Sequence, residues 1–218
     1  MVAIYCDGAD LATMAKYAQD PLIEGFTTNP SLMRKSGVTN YREFAKQVLG
    51  VVNGKPVSFE VLSDDWTEMY AQAHEIASWG ENVWVKIPVT NTKGESSVEL
   101  IKSLPDLRLN ITAVMTHEQL GWLLMVDGPH HIISVFCGRI MDAGRLPPII
   151  LRREFKAKVL WASTRELYSI DYAQNYGYDI ITMTPDLIAK LPLRGKDLKQ
   201  YSLETVQQFH EDGKGIAF

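Results

Sequence analysis

Short runs of β-branched and aromatic residues alternate with longer amphipathic segments along nearly the whole chain, and no other feature constrains the fold as strongly. The pattern predicts strands at Val2–Tyr5, Gly25–Thr28, Pro56–Val61, Asn82–Ile87, Leu107–Val114, His131–Phe136, Lys158–Ala162 and Asp179–Thr182. It predicts helices at Ala9–Ala18, Tyr41–Val52, Trp66–Ser78, Gly94–Ser103, Thr116–Met125, Pro148–Phe155, Arg165–Tyr176 and Pro185–Leu191. Strands that alternate with helices in this way indicate an α/β protein with parallel strands joined by crossover helices.

An eightfold alternation favours a compact (β/α)₈ barrel, the TIM-barrel fold, with residues 1–218 in a single domain. The rival architecture is an open doubly wound sheet, but no G-x-G-x-x-G follows the first strand. The segment Ser202–Glu211 falls outside the eight units. We therefore expect an extra C-terminal helix within an extension that covers residues 200–218.

Helix start signals support several of these elements. Asp65 precedes one predicted helix, and Thr116 is followed three residues later by Gln119, which is the pattern of a capping box. Thr164 directly precedes the predicted helix that begins at Arg165, as Asp65 precedes its helix. Proline occupies a first helical position at Pro185.

Polar side chains lie within or at the ends of the predicted strands. In a barrel of this kind the active site lies at the carboxyl ends of the strands, so these residues become functional candidates. They are Asp7, Thr28, Asn29, Glu60, Lys86, Asn110, Thr112, Ser134 and Ser163. So much polarity in a barrel is unfavourable unless a site uses it.

Lys86 stands inside the otherwise apolar strand Trp84–Pro88. Lysine is rarely buried, because loss of hydration disfavours its charged form. It can face outward past a helix, or join a structural ion pair. Alternatively, desolvation produces the neutral amine that attacks a carbonyl, and the resulting iminium makes a neighbouring C–C bond breakable. Proton transfers in such chemistry need a carboxyl group, which Glu60 or Asp7 can supply; Asp7 can instead cap the helix near Ala9.

Composition excludes several classes of function. The formal net charge is -4, so no basic field recruits nucleic acid or acidic membranes. No apolar run is long enough for a membrane span, no leader opens the chain, and two cysteines, Cys6 and Cys137, do not suggest a disulfide framework. We therefore expect a cytoplasmic protein. The five histidines show no clustering that predicts a metal site.

Five segments, in order, resemble motifs of the transaldolase family. They are Thr27-Thr28-Asn29-Pro30-Ser31, Val85-Lys86-Ile87-Pro88, Asn110-Ile111-Thr112, Ser134 to Asp142, and Ala162-Ser163-Thr164-Arg165. The resemblance runs from residue 1 to about residue 185, in the short branch of the family that contains transaldolases and fructose-6-phosphate aldolases. The chain departs from the pattern at Gly8 and at Arg145-Leu146-Pro147-Pro148.

The resemblance implies a Schiff base on Lys86, with no cofactor and no metal. It gives catalytic roles to Lys86, Asp7, Glu60 and Thr112, sugar contacts to Thr28, Asn29, Asn110, Ser134 and Phe136, and phosphate binding to Arg139, Ser163 and Arg165. It also implies a homo-oligomer, a pentamer or decamer, in which the C-terminal helix contacts a neighbouring subunit.

The implied reaction moves a dihydroxyacetone unit from sedoheptulose 7-phosphate or fructose 6-phosphate to glyceraldehyde 3-phosphate or erythrose 4-phosphate, within the non-oxidative pentose phosphate pathway. The alternative is a fructose-6-phosphate aldolase that releases free dihydroxyacetone. The resemblance associates glutamine and tyrosine with the aldolase, where this chain has Glu60 and Phe136, and Arg165 also favours the transferase. A sugar-phosphate-binding barrel without catalysis is a more distant possibility.

Overall fold

Eight parallel strands close into a barrel in the computed structural model, which describes residues 1–151 and 154–216. The strands are β1 (Ala3–Asp7), β2 (Ile23–Thr27), β3 (Val57–Glu60), β4 (Val83–Pro88), β5 (Leu109–Val114), β6 (Ile132–Val135), β7 (Lys158–Trp161) and β8 (Ile180–Met183). Each pairs with the next in sequence, and β8 pairs with β1. The predicted (β/α)₈ barrel is confirmed.

Helices lie between successive strands and beyond the last one. They are α1 (Leu11–Ala18), α2 (Pro30–Lys35), α3 (Tyr41–Val51), α4 (Trp66–Ala77), α5 (Val98–Lys102), α6 (His117–Leu123), α7 (Cys137–Asp142), α8 (Ser169–Asn175), α9 (Pro185–Ile188) and α10 (Leu198–Asp212). Asp65 caps α4, and Thr116 with Gln119 forms the predicted capping box of α6. The extra C-terminal helix is α10, which begins four residues before the predicted segment.

The alternation of side chains along each strand divides the apolar core in two. Along β7, Leu160 belongs to a small cluster with Tyr5 and Ile132, whereas Val159 and Trp161 belong to a large one. Because neighbours along a strand point to opposite faces, the small cluster fills the interior of the barrel and the large one packs strands against helices. The interior is thus apolar toward the amino ends of the strands.

Gly25 allows one of these interior side chains to fit. A Cβ atom at this position would lie 2.6 Å from the ring of Tyr5, so only glycine accommodates that ring on the inner face of β2. Tyr5 is itself buried, on the inner face of β1, two residues before Asp7. Its ring closes the barrel below the polar residues that follow.

The helix predicted at Pro148–Phe155 is wrong for the part of it that the structure describes. Residues 148–151 and 154–155 lie outside any helix, and residues 152–153 lie outside the described residues. Pro147 and Pro148 lack the backbone N–H of a helix, and the segment bonds elsewhere. The carbonyl of Pro148 accepts from the Tyr178 hydroxyl at 3.0 Å, and the N–H of Ile150 donates to Tyr176 at 2.7 Å. The short helix of this unit is α7, directly after β6.

Other differences from prediction concern the helices, of which α5 begins at Val98 rather than Gly94. Helix α8 begins at Ser169 rather than Arg165, because the hydroxyl of Thr164 does not cap it but donates to the carbonyl of Thr182 at 2.7 Å. Helix α2, which was not predicted, begins after Asn29, whose side chain accepts from the N–H of Leu32. Among the described residues, no helix is both long and apolar enough to cross a membrane.

Candidate active site

A cavity of about 340 Å³ opens at the carboxyl ends of the strands. Most of the residues that line it are polar, and they come from all around the barrel, at positions that follow the apolar interior residues along the strands. The lining residues are Asp7, Thr27, Asn29, Pro30, Ser31, Glu60, Lys86, Thr112, Ala113, Ser134, Phe136, Arg139, Ala162, Ser163 and Thr182. The polar side chains therefore lie at the carboxyl ends of the strands, above the apolar interior of the barrel. Barrels of this fold carry their active sites at that end.

Lys86 points into this cavity and is only 6% exposed. It lies two residues after Trp84, which packs against the interior cluster, so both face inward. Its Nζ donates to the carbonyl of Thr28 at 2.8 Å and lies 3.1 Å from Oε2 of Glu60. The outward-facing alternative is thus excluded, while the ion pair exists and is part of the cavity. A buried amine with a carboxylate beside it has a ready acceptor for its proton.

The backbone of Glu60 is held by a tyrosine from a neighbouring helix. The hydroxyl of Tyr41, the first residue of α3, donates to the carbonyl of Glu60 at 2.9 Å and accepts from its N–H at 2.7 Å. These two bonds fix the end of β3, so the carboxylate reaches Lys86 from a rigid backbone.

Asp7 approaches from β1 and accepts a hydrogen bond from one hydroxyl, which in turn contacts a second. The Thr27 hydroxyl donates to its Oδ1 at 2.8 Å, and the hydroxyls of Thr27 and Thr182 are 2.6 Å apart. Burial raises the pKa of Asp7, while Lys86 and the Thr27 bond oppose the rise and Glu60 adds to it. Asp7 does not cap α1; Asp10 does, by accepting from the N–H of Thr13.

Three polar side chains form a chain on one wall of the barrel. Ser134 donates to Oδ1 of Asn110 at 2.6 Å, and Nδ2 of Asn110 donates to Ser58 at 3.0 Å. Ser134 lines the cavity, and Asn110 is fully buried behind it. Nearby, the buried hydroxyl of Thr112 has no hydrogen-bond partner among the described residues. An unpartnered hydroxyl at a cavity wall is available to a ligand or a water molecule.

Thr28 and Asn29 occupy different surroundings. The side chain of Thr28 is completely buried and donates to the carbonyl of Ser58, so it is the Thr28 backbone carbonyl that takes part in the site, by accepting from Lys86. Asn29 lines the cavity, and its Oδ1 caps α2 at 3.0 Å from the N–H of Leu32. Its amide NH₂ has no bond among the described residues and can donate toward the cavity.

The two arginines after β6 and β7 are not equivalent. Arg139 lines the cavity, and its guanidinium lies 5.3 Å from the centre of the Phe136 ring. Arg165 does not line the cavity; it forms a two-point ion pair with Asp142, with contacts of 2.6 and 3.0 Å to Oδ2. Of these two arginines it is therefore Arg139 that presents its charge to the cavity in this arrangement.

Close packing fixes the loop that carries Ser163. Its φ of 63° lies in the left-handed region, which disfavours a side chain. Gly138 permits this conformation, because a Cβ there would lie 1.6 Å from the carbonyl oxygen of Ser163. A second left-handed residue, Ala113, follows Thr112 on the opposite wall, where the pairing of β5 with β6 shifts register. Strained residues of this kind concentrate at functional sites.

Other nucleophiles and metal ligands are not assembled in the described part of the chain. Burial raises the pKa of Cys6 and of Cys137 to about 12, so both thiols stay protonated at neutral pH. No group of three or more His, Cys, Asp or Glu side chains within residues 1–151 and 154–216 is placed to hold a metal ion. A larger cavity, of about 440 Å³, lies at the other end of the barrel beside Lys156 and Asp179, where the Asp179 carboxylate already accepts from the N–H of Val159.

Sequence reasoning missed Thr182, Thr27 and Tyr41. Thr182 lies near the end of β8, just as Lys86 lies near the end of β4. The rule that selected polar residues at strand ends would have found Thr182 if it had been applied to the eighth strand. Thr27 is separated from Gly25 by one residue, and alternation places both on the inner face. Nothing in the sequence indicates the Tyr41 contact, because it joins a helix to a strand 19 residues away.

Comparisons with known proteins agree on one family. A family model described as Transaldolase/Fructose-6-phosphate aldolase matches residues 4–217. A probable transaldolase of Mesorhizobium japonicum is 30% identical over 208 residues, which cover 90% of this chain and 93% of that protein. A probable transaldolase of Streptococcus equi subsp. zooepidemicus is 31% identical over 208 residues, with coverage of 90% and 94%.

A solved structure gives an independent view of the fold. Orotidine 5'-monophosphate decarboxylase from Metallosphaera sedula superposes with a TM-score of 0.54 and 13% identity, covering 97% of this chain and 99% of the other. At that identity the likeness concerns the fold alone.

Because burial raises the pKa of Asp7, replacing this carboxylate should stabilise the folded protein by an amount that depends on pH. Above its folded-state pKa, Asp7 is a disfavoured buried charge in the folded protein, so Asp7→Asn should raise the free energy of unfolding at pH 7. The gain should shrink as pH falls through the folded-state pKa, and should vanish below the unfolded-state value near 3.8. Urea unfolding between pH 7 and pH 3.5 measures this dependence.

The matched control is Asp10→Asn. The pKa of Asp10 is lowered, chiefly by its hydrogen bond to Thr13, and asparagine caps a helix as well as aspartate does. Because a lowered pKa means that ionised Asp10 stabilises the fold, this variant should be unchanged or slightly less stable at pH 7. An Asp7→Asn variant that is less stable than the parent protein at pH 7 would contradict the prediction.

Proposed function

Because the chain belongs to the transaldolase/fructose-6-phosphate aldolase family, we propose that it is a transaldolase that transfers a dihydroxyacetone unit between sugar phosphates through an imine on Lys86. One observation carries the proposal: the amine of Lys86 is buried in the cavity, 3.1 Å from Glu60, in a site that Asp7 also lines. An amine and two carboxylates are the groups that imine-based aldol chemistry needs.

The first stage of the proposed reaction forms the imine. Glu60 accepts a proton from Lys86, and the neutral amine attacks the C2 carbonyl of a ketose phosphate such as fructose 6-phosphate. The carbinolamine then loses water, with Glu60 returning a proton to the departing hydroxyl. The free hydroxyl of Thr112 is suited to hold that water, because it has no other partner among the described residues.

The second stage breaks the C–C bond. Asp7 removes the proton of the C4 hydroxyl, the C3–C4 bond breaks, and its electron pair moves through the iminium to the nitrogen of Lys86. Glyceraldehyde 3-phosphate leaves as the aldehyde, and the dihydroxyacetone unit stays on Lys86 as an enamine. Addition of the enamine to erythrose 4-phosphate, followed by hydrolysis of the imine, gives sedoheptulose 7-phosphate. In this scheme Asn29 and Ser134 contact the sugar hydroxyls, and Asn110, which is fully buried, orients Ser134.

The phosphate is proposed to bind near the loops after β6 and β7. Arg139 and Ser163 line that side of the cavity, and guanidinium groups match phosphate oxygens well. Arg165 can join them only if the phosphate displaces Asp142 from its ion pair. The pair is half-exposed, so the exchange of one anion for another is energetically modest.

The decisive test identifies a covalent intermediate and the products together. Incubation with fructose 6-phosphate and borohydride should attach a reduced three-carbon adduct to the Lys86 peptide, because hydride traps the iminium. Adding erythrose 4-phosphate should yield sedoheptulose 7-phosphate, and Lys86→Ala should lower turnover by at least about 10³-fold. The control is Lys190→Ala, which removes an exposed lysine. An adduct elsewhere, or an active Lys86→Ala, would refute the mechanism.

Transferase and aldolase differ in the fate of the enamine, which the aldolase protonates and releases. Phe136 lines the cavity with a ring that cannot donate a proton. Phe136→Tyr should therefore raise the ratio of free dihydroxyacetone to sedoheptulose 7-phosphate by roughly threefold or more, because the hydroxyl brings a proton donor near the reacting carbon. Phe136→Leu removes the ring without adding a hydroxyl. An equal rise in that variant would assign the effect to lost packing, and an unchanged ratio in folded Phe136→Tyr would show that this position does not set the outcome.

We also propose that α10 contacts a neighbouring subunit in a homo-oligomer. Apolar side chains along this helix are exposed in the single chain: Leu203 by 50%, Val206 by 61% and Phe209 by 68%. A row of such residues on one helix is typical of an interface. Gln207 and His210, whose helical spacing from Leu203 places them on the same face, are exposed as well.

Removal of residues 200–218 should therefore yield a smaller particle in sedimentation velocity, with the far-UV signal of the barrel retained. Val206→Glu should weaken the assembly by placing a charge in the interface, whereas Gln208→Glu places the same charge on the other side of the helix and should leave it intact. An unchanged sedimentation coefficient in the truncated protein would mean that α10 does not join subunits.

A further inference from the structure

A pair of threonines links β8 to the carboxylate of Asp7. Thr182, at the end of β8, is 4% exposed, and its Oγ1 lies 2.6 Å from Oγ1 of Thr27. Thr27, at the end of β2, is 3% exposed and bonds Oδ1 of Asp7 at 2.8 Å. Because β1 lies between β2 and β8 in the closed barrel, all three groups meet on its inner face.

The chemistry of these groups fixes the direction of the bonds. A hydroxyl carries one proton, and an ionised carboxylate only accepts. Thr27 donates its one hydroxyl proton to ionised Asp7, so Thr182 must be the donor in the bond between the two threonines. The chain therefore runs from Thr182 to Thr27 to Asp7, and each bond strengthens the next. Protonation of Asp7 at Oδ1 allows the whole chain to reverse.

We propose that Thr182 is a positioning residue for C–C bond cleavage, which acts through Thr27 to hold Asp7 ionised and oriented toward the substrate. The inference rests on the proposed function, in which Asp7 removes the proton of the substrate hydroxyl. With Oδ1 occupied by Thr27, the other carboxylate oxygen is the one left for the substrate. Thr182 never touches the reacting atoms in this scheme.

The effect of Thr182 on the ionisation of Asp7 can be separated from the effect of the charged side chains around Asp7. The charged groups that face Asp7 are Lys86 of β4 and Glu60 of β3, and Arg139 of α7 lines the same cavity. The adjacent strands β2 and β8 present hydroxyls at this level. A change at Thr182 thus leaves every charge in the site in place, and a shifted pH profile reports the hydroxyl chain alone.

The first measurement is the pH dependence of fructose 6-phosphate cleavage with erythrose 4-phosphate as acceptor. Thr182→Val keeps the side-chain shape and removes the hydroxyl. It should lower kcat by roughly three- to tenfold and move the acid limb upward by about 0.5 pH unit, because the ionised form of Asp7 loses support. Thr182→Ser restores the hydroxyl and should restore both quantities. If Thr182→Val does not fold, Thr182→Ala replaces it.

The second measurement uses borohydride trapping to locate the slowed step. When cleavage slows and imine formation does not, the trapped Lys86 peptide should shift from the three-carbon adduct toward the uncleaved six-carbon adduct. A structural role for Thr182 would lower both adducts together. Thr164→Val is the matched control, since Thr164 is buried nearby and donates to the carbonyl of Thr182 rather than to Asp7; it should leave the adduct ratio and the pH profile unchanged.

The two proposals fail in different ways. An unmodified protein that gives no adduct on Lys86 removes the proposed function, and this inference with it. Adducts on Lys86 combined with an unchanged pH profile and adduct ratio in Thr182→Val would leave the function standing and overturn the role of Thr182. Equal effects of Thr182→Val and Thr164→Val would also overturn it.

Discussion

Side chains that point into a closed barrel have little solvent on their side of the sheet, so each buried polar group there needs a partner within the barrel. The ion pair of Lys86 with Glu60 is the centre of this arrangement. Desolvation of either charge alone is unfavourable, and the pair is tolerable because each offsets the burial of the other. The carbonyl of Thr28 satisfies a further donor of Lys86. These contacts hold the lysine in one position and partly shield it from water. They do not make the fold more stable than an apolar side chain at this position would.

The rest of the polar layer follows the same requirement through neutral hydrogen bonds. Ser134, Asn110 and Ser58 satisfy one another across three strands, and Thr27 and Thr182 do so on either side of Asp7. Two groups depart from this rule: the hydroxyl of Thr112 has no partner in the described part of the chain, and burial raises the pKa of Asp7. Both line the cavity. A site that binds a substrate must keep some of its polar groups incompletely satisfied until the substrate arrives.

Much of this could be predicted from the sequence because it depends on periodicity and on isolated anomalies. The strand–helix alternation predicted the barrel, and a lysine in an apolar strand drew attention to position 86. The errors involve contacts between distant elements. The helix expected at residues 148–155 gives way, in its described part, to bonds between this segment and residues 176 and 178. The pairing of Arg165 with Asp142 is a second contact of this kind, and the phosphate role that the resemblance gives to Arg165 stays a prediction. Neither contact has a local signal in the sequence.

In the proposed mechanism the two carboxylates that line the cavity with Lys86 have different tasks. Glu60 touches the amine directly and has its backbone clamped by Tyr41, so it is suited to exchange protons with the nitrogen and with water. Asp7 has no bond to the amine; hydroxyls hold it on the β1 side of the barrel. An aldol cleavage needs proton transfer at the nitrogen and again at a hydroxyl two carbons from the imine carbon. A single carboxylate cannot reach both positions without moving. Two rigid ones, carried by different strands, can serve both while the backbone stays fixed, which is the advantage of building such a site on a closed barrel.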